Sequence, residues 1–333
     1  MPPRRFALLA VIVVAALFPL GFSSDAYTMS IATECLVYAL VTVTLNLLIG
    51  FGGQISLGQA GLLAVGAYIA AIEANHISGL PVALEILGAG LGTALVGFAL
   101  GLPTGRLRGH YLAIATLGFG VAVPQIALKL SGLTGGYTGL TVPTATFGGS
   151  ASFGDPSSLY WFVLVVVALS LLAVFSILAS STGRSFTAVR DSEPGAEAMG
   201  INVARTKVLL FTVSAFFTGV AGDLFAHLQS LVAPTSFPFS LSLFFLAAVV
   251  VGGLASVWGS VAGAVLLVLV QEKIGSGSGS GLAPTIIGGT VVVVLLFLPG
   301  GLATIPDQLA LAGARIRRRR GEPRRATTGK EET

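Results

Sequence analysis

Apolar residues run along this chain in long blocks, not in the alternating or one-faced patterns of a soluble core. A helix needs about 20 mostly apolar residues to cross a bilayer. By that rule, spans are predicted near 6–22, 30–49, 57–75, 82–102, 111–130, 158–180 and 207–229, with a long apolar stretch at 241–270 and a last span near 283–299. Runs this uniform do not alternate with period two, so a strand barrel does not fit. The stretch 241–270 is interrupted by Gly252, Gly253 and Gly259, and reads either as two short spans or as a re-entrant pair that returns to its own side. The fold class is an all-α polytopic membrane protein with eight to ten crossings.

Composition narrows the class further. Of the 333 residues, 54% are hydrophobic and 10% charged, against roughly 25% charged in a soluble domain. An ordinary soluble enzyme, a disordered chain and a disulfide scaffold are all excluded. The 44 glycines suit helices that pack backbone to backbone in lipid, and the single Cys35 can form no disulfide within the chain.

Positive charge sets the orientation. With Arg4 and Arg5 inside, Arg106, Arg108, Arg184, Arg190, Arg205, Lys207 and the tail residues Arg315, Arg317–Arg320, Arg324, Arg325 and Lys330 all fall inside too. Of the 18 basic residues, only Lys129, at a span end, and Lys273 are left over. The outer loops 23–29, 76–81, 131–157 and 230–240 hold neither Lys nor Arg. Both termini are therefore expected in the cytoplasm. A cleaved signal peptide is the alternative at the N-terminus, where Arg4-Arg5 precedes an apolar stretch and Ser23-Ser24-Asp25-Ala26 follows it. The chain divides into a permease-like membrane domain over 1–314 and a basic tail over 315–333, read as a topology anchor on anionic lipid in preference to a nucleic-acid arm.

No catalytic constellation is found. Asp25, Asp155, Asp191, Asp223 and Asp307 are isolated along the chain, and His76, His110 and His227 have no metal-ligand spacing. Ser56 sits among glycines without forming a nucleophile elbow. No phosphate-binding loop occurs, so ATP hydrolysis, if it powers the chain, belongs to another subunit, and no cofactor is expected on this one.

Two segments carry the interest. In the inner loop 183–207, Ser192 is a candidate N-cap with Glu193 and Pro194 in the first turn. Gly200 is placed to end that helix in the left-handed region, and Asn202 to cap the next one. Such a short charged helix reads as a docking knob for a cytoplasmic partner or as a solvated connector. The second segment is the Gly-rich junction from Leu45 to Gly61, where Asn46, Gln54, Ser56 and Gln59 sit at the edge of apolar spans at a cost unless they find partners or water. A half-helix starting near Ser56 would aim its amides at a carboxylate; alternatively Gly58, Gly61 and Gly66 permit close packing while Gln54 caps a turn. Asp223 and His227, four apart on one helix face, pair with each other or line the outer mouth. Glu34, Glu73 and Glu85, near span ends, are expected to be hydrated.

Taken together, the blocks Leu45–Gly61 with Gly66-Ala67-Tyr68, Leu107–Gly118, Leu133-Thr134-Gly135-Gly136, the 183–207 loop, Pro234 with Phe237, Val251-Gly252-Gly253-Leu254 with Trp258-Gly259, and Leu298–Leu302 resemble the permease subunits of bacterial ATP-binding-cassette importers for branched-chain amino acids, of the LivM type. The resemblance implies a multi-pass permease of the cytoplasmic (inner) membrane, paired with a homologous second permease, two ATP-binding subunits and a periplasmic or lipoprotein substrate-binding protein. It implies that 183–207 is the ATPase-coupling loop, with Arg184, Arg190, Ser192, Glu193, Glu197 and Gly200 as its residues and Glu197-Ala198-Met199-Gly200 as its core. It makes Asn46, Gln54, Ser56, Gln59 and Thr116 the candidate substrate path, used by alternating access. The chain departs from the family pattern at His110, Val121, Asp223, Ala255 and Ser260. Those departures bear on the substrate, so urea or short amides are an alternative cargo. An ATP-independent channel or secondary transporter is a more distant alternative.

Overall fold

A computed structural model describes residues 25–77, 81–105, 110–143, 146–147, 151–152, 155–275, 288–289, 296 and 301–304. The span predicted at 6–22, most of the span near 283–299, the basic residues Arg4, Arg5, Arg106 and Arg108, and the tail 315–333 lie outside the described residues.

Ten helices of at least six residues organise the described chain. They are α1 (Ala26–Asn46), α2 (Gln59–His76), α3 (Val82–Gly101), α4 (His110–Lys129), α5 (Pro156–Ala179), α6 (Ser181–Asp191), α7 (Glu193–Ala198), α8 (Val203–Gln229), α9 (Phe239–Gly252) and α10 (Val257–Gly275). Two-residue strand pairs, Leu140–Thr141 with Leu231–Val232 and Thr146–Phe147 with Ala151–Ser152, tie loops together. Six described segments are long and apolar enough to cross a membrane: Ala26–Phe51, Val82–Gly101, Tyr111–Lys129, Pro156–Ala179, Val203–Gln229 and Pro234–Gly252.

Local chemistry explains the ends. Asp25 accepts from the Tyr27 amide at 3.2 Å to open α1, and the Thr28 hydroxyl beside it holds the Asp25 carboxyl below its usual range. Pro81 precedes α3 and Pro156 starts α5, positions where a missing N–H costs nothing. Inside α1, Thr33 and Thr42 return their hydroxyls to Met29 and Tyr38 carbonyls, so these polar side chains enter the interior satisfied.

Helices α1 and α8 form the centre, lined by Val37, Leu40 and Val41 against Phe217, Ala221 and Leu224. Close approach is set by small residues. A Cβ on Gly66 of α2 would stand 2.6 Å from the Gly219 carbonyl of α8, closer than any side chain tolerates. Outside, α3 exposes Leu84, Leu91 and Leu95, α4 exposes Ile114 and Ile126, and α5 exposes Val165 and Leu169.

The stretch 241–270 resolves into α9 and α10, a helical hairpin that turns at residues 253–256. Its turn lies at the Asn46 end of α1, while Glu272 near the end of α10 accepts from the Tyr27 hydroxyl at the other end. The hairpin thus returns to the side from which α9 entered. Helix α6 is an element that sequence reading took as loop. It is amphipathic, burying Phe186 and Val189 and exposing Asp191.

Candidate functional site

The junction begins where α1 changes pitch. Residues Leu47–Phe51 form a π-helical turn, and beyond it the Gln54 amide bonds back to the Leu48 carbonyl at 2.9 Å. The Gly50 carbonyl is among the last four of this helix, which end without an intrahelical donor, and the Gln54 N–H that could have reached it is spent on Leu48. Arg190 of α6 takes the Gly50 carbonyl, donating from Nη1 at 2.8 Å while Nε and Nη2 hold Asp191. Beneath this contact, buried Phe186 packs among Leu47, Leu48, Leu112, Leu210 and Phe211. The 183–207 loop is thereby joined to the membrane junction by one charge-assisted hydrogen bond and one aromatic wedge.

The loop's punctuation is as its residues predict. Ser192 caps α7 by accepting from Gly195 N at 3.1 Å. At the other end Gly200 takes φ +81°, its amide bonding Glu197 O and that of Ile201 bonding Ala196 O, which is the Schellman arrangement. Asn202 then caps α8 by accepting from Arg205 N at 3.0 Å. Ala196 packs with Val189 and Val203, whereas Glu197, Met199 and Gly200 are exposed at the tip. Arg184 lies apart, reaching the Ala179 carbonyl at the end of α5 at 3.4 Å. Lys207, counted in the sequence only as an inner charge, is buried and holds Glu193 at 2.6 Å.

The five residues proposed for a substrate path divide by their partners. Asn46 is fully buried, and its Nδ2 donates to Gly253 O, Ser256 O and Ser260 Oγ at 3.2, 3.0 and 2.6 Å, while Oδ1 accepts from Ala255 N at 3.0 Å. It clamps the hairpin turn, where Ala255 sits at φ +58°. Gln59 Nε2 donates to Thr44 and Thr218 hydroxyls at 2.9 and 2.6 Å, and its Oε1 is unpartnered. Thr116 accepts from Leu57 N and donates to Ala113 O, both at 3.0 Å. Ser56 is buried, with Oγ 3.5 Å from the Gly58 amide. Gln54 is buried with neither amide atom hydrogen-bonded, so it caps no turn. It lines a cavity of about 360 Å³ together with Gly53, Arg190, Ser192, Glu193 and Lys207.

Three expectations change. The helix expected near Ser56 starts at Gln59 with Gly58 as N-cap, where Gly58 and Gly61 are pressed against Thr116, Phe119 and Gly120 of α4. Glu85 is not hydrated. It is 5% exposed, and His227 Nε2 approaches its carboxylate at 3.2 Å. Asp223 and His227 do lie together, 3.9 Å apart, but buried, with Glu85 of α3 as the third member. Thr44, Ser214, Thr218 and Ser242, which connect α1, α2, α8 and α9 through hydroxyl bonds, were missed; the available signal was small hydroxyl residues inside otherwise apolar spans.

Comparison with known proteins places this geometry. The family described as branched-chain amino acid transport system / permease component matches residues 27–298. The chain is 36% identical over 322 residues, covering 90% of itself and 75% of the relative, to the high-affinity branched-chain amino acid transport system permease protein LivM of Salmonella typhimurium, and equally to that of Escherichia coli. It is also 26% identical over 251 residues to the ribose import permease protein RbsC of Haemophilus influenzae, covering 74% of this chain and 75% of that one. No solved structure matches the chain.

Proposed function

The chain belongs to the branched-chain amino acid transport permease family and is of the LivM type, and from that premise we propose that it is the membrane-spanning subunit of an ATP-driven importer carrying leucine, isoleucine and valine into the cell. It works in the bacterial inner membrane beside a homologous second permease, two ATP-binding subunits that hydrolyse the ATP, and a periplasmic or lipoprotein binding protein. The chain carries eight to ten crossings with both termini cytoplasmic, and its tail 315–333 rests on anionic lipid. It binds no cofactor itself.

The observation that carries the reading is the Arg190–Gly50 hydrogen bond, which connects α6, the helix directly before the capped α7, to the polar junction. Closure of the ATP-binding subunits moves α7 and its tip at Glu197 and Gly200. The paired ends Ser192 and Glu193–Lys207 keep the loop rigid, and Arg190 delivers the motion to the π-turn. Asn46 passes it to the hairpin turn at 253–256, and the helices alternate between outward and inward access. Gln54, Ser56, Gln59 and Thr116 border the path, Gln54 with a free amide for a polar ligand end.

That free amide also favours the alternative cargo, urea or a short amide, in the same architecture. The deciding measurement is uptake of labelled leucine and labelled urea in cells with and without the chain. Loss of leucine uptake alone supports the branched-chain reading; loss of urea uptake alone moves the substrate and keeps the coupling. Arg190→Glu and Gly200→Pro are expected to uncouple ATP hydrolysis from uptake with membrane insertion intact. Normal uptake in both would remove the coupling role from the loop, and transport without any co-purifying ATPase would favour a channel or secondary transporter.

A further inference from the structure

Where α3 begins and α8 ends, three ionisable side chains meet inside the helix packing. Glu85, Asp223 and His227 are 5%, 0% and 8% exposed, and their ligand atoms lie within 4.8 Å of one another. His227 Nε2 is 3.2 Å from Glu85 Oε2 and 3.9 Å from Asp223 Oδ1. Neither Asp223 oxygen has a hydrogen-bond partner, and neither carboxylate pairs with a Lys or Arg among the described residues. A fully buried carboxylate with no donor on it is among the most costly arrangements an apolar interior can hold. Compensation has to come from a proton or a cation.

We infer that Glu85, Asp223 and His227 form a binding site for one divalent metal ion of the zinc type, fastening α3 to α8. Donors held at about 2.0–2.1 Å from a tetrahedral Zn²⁺ lie roughly 3.3 Å apart, and the measured separations of 3.2 and 3.9 Å bracket that value. One imidazole nitrogen with two carboxylate oxygens is a zinc-like donor set, whereas Ca²⁺ and Mg²⁺ call for more donors, all oxygen. Two carboxylates and a neutral imidazole carry charge −2, which the ion cancels; a single proton on His227 leaves the group at −1. Glu73 of α2, a partly buried carboxylate, packs against Gly88 one turn along α3 from Glu85.

The test uses the full-length chain in detergent or nanodiscs with the subunits that co-purify, stripped by chelator and then loaded. Zn²⁺ retained after gel filtration is expected at one per permease chain by elemental analysis, and Co²⁺ loading is expected to give visible d–d absorption of tetrahedral intensity. Asp223→Asn, nearly isosteric, and His227→Gln should each weaken Zn²⁺ binding at least ten-fold and abolish the Co²⁺ spectrum, while Glu34→Gln changes neither. Failure of the wild-type chain to retain Zn²⁺ overturns the site and leaves the triad as a proton-sharing group. Retention with an unchanged Co²⁺ spectrum in both variants also overturns it, by moving the metal elsewhere. If a variant does not yield monodisperse protein, the wild-type stoichiometry and spectrum decide alone.

Discussion

Asn46 and Asp223 are both fully buried polar residues near the ends of apolar helices, and they are opposites. Asn46 uses its amide completely, with three acceptors for its nitrogen and one donor for its oxygen. Asp223 has no hydrogen bond on either oxygen. A saturated buried group specifies structure, because any shift breaks several bonds at once. An unsaturated one is an unfilled demand, and marks a place where something else comes and goes. The same contrast runs through the junction itself, where Thr116 is satisfied and Gln54 is not.

The contrast can be broken most forcefully at its saturated end. Asn46→Leu strands the Ala255 amide and the Gly253 carbonyl, while Ser256 O keeps its bonds from Ser260, and is expected to cost on the order of 4 kcal/mol at about 1–3 kcal/mol per orphaned group. Denaturant unfolding of the purified chain in mixed micelles measures it, and an unchanged midpoint would remove Asn46 from the clamp. Glu193→Gln comes next. It leaves the buried Lys207 ammonium without its carboxylate partner and is expected to cost about 2 kcal/mol, less than a fully buried pair because Glu193 is partly solvated. Lys207→Met should cost less than Glu193→Gln, since it removes the buried charge along with the pair.

At the unsaturated end the sign reverses. In metal-free protein, Asp223→Leu is expected to raise stability by about 1 kcal/mol, as buried charges replaced by apolar groups often do. A clear loss would mean that Asp223 already has the partner it is described as lacking. The smallest effect belongs to Ala255→Gly. Relief of the left-handed strain at φ +58° is offset in part by the greater chain entropy of glycine, for a net gain of about 0.5 kcal/mol, read as a small rise in the same unfolding midpoint.

What the sequence made legible follows the range of each interaction. Within the loop 183–207 the caps could be read because they act over three positions, Ser192 on Gly195 and Asn202 on Arg205, whereas helix α6 beside them could not. The triad was hidden because Glu85 and His227 are 142 positions apart, and nothing local distinguishes a glutamate at a hydrated span end from one buried under another helix. Asn46 was legible as unusual and opaque in role, since its partners lie more than 200 residues away. The start of α2 slipped by three residues at a place where Gly58 and Gly61 press on α4, a contact the local sequence does not show.

The π-turn at Leu47–Phe51 carries one more consequence, in terms of register. A π-turn is a helix holding one residue too many, and this one immediately precedes the helix end at which the Gly50 carbonyl stands without an intrahelical donor. Deleting Leu47, Leu48 or Ile49 would change where the Gly50 carbonyl stands relative to Arg190, with which it shares a 2.8 Å hydrogen bond. The permease would keep its spans and its loop, yet the two would no longer be in gear.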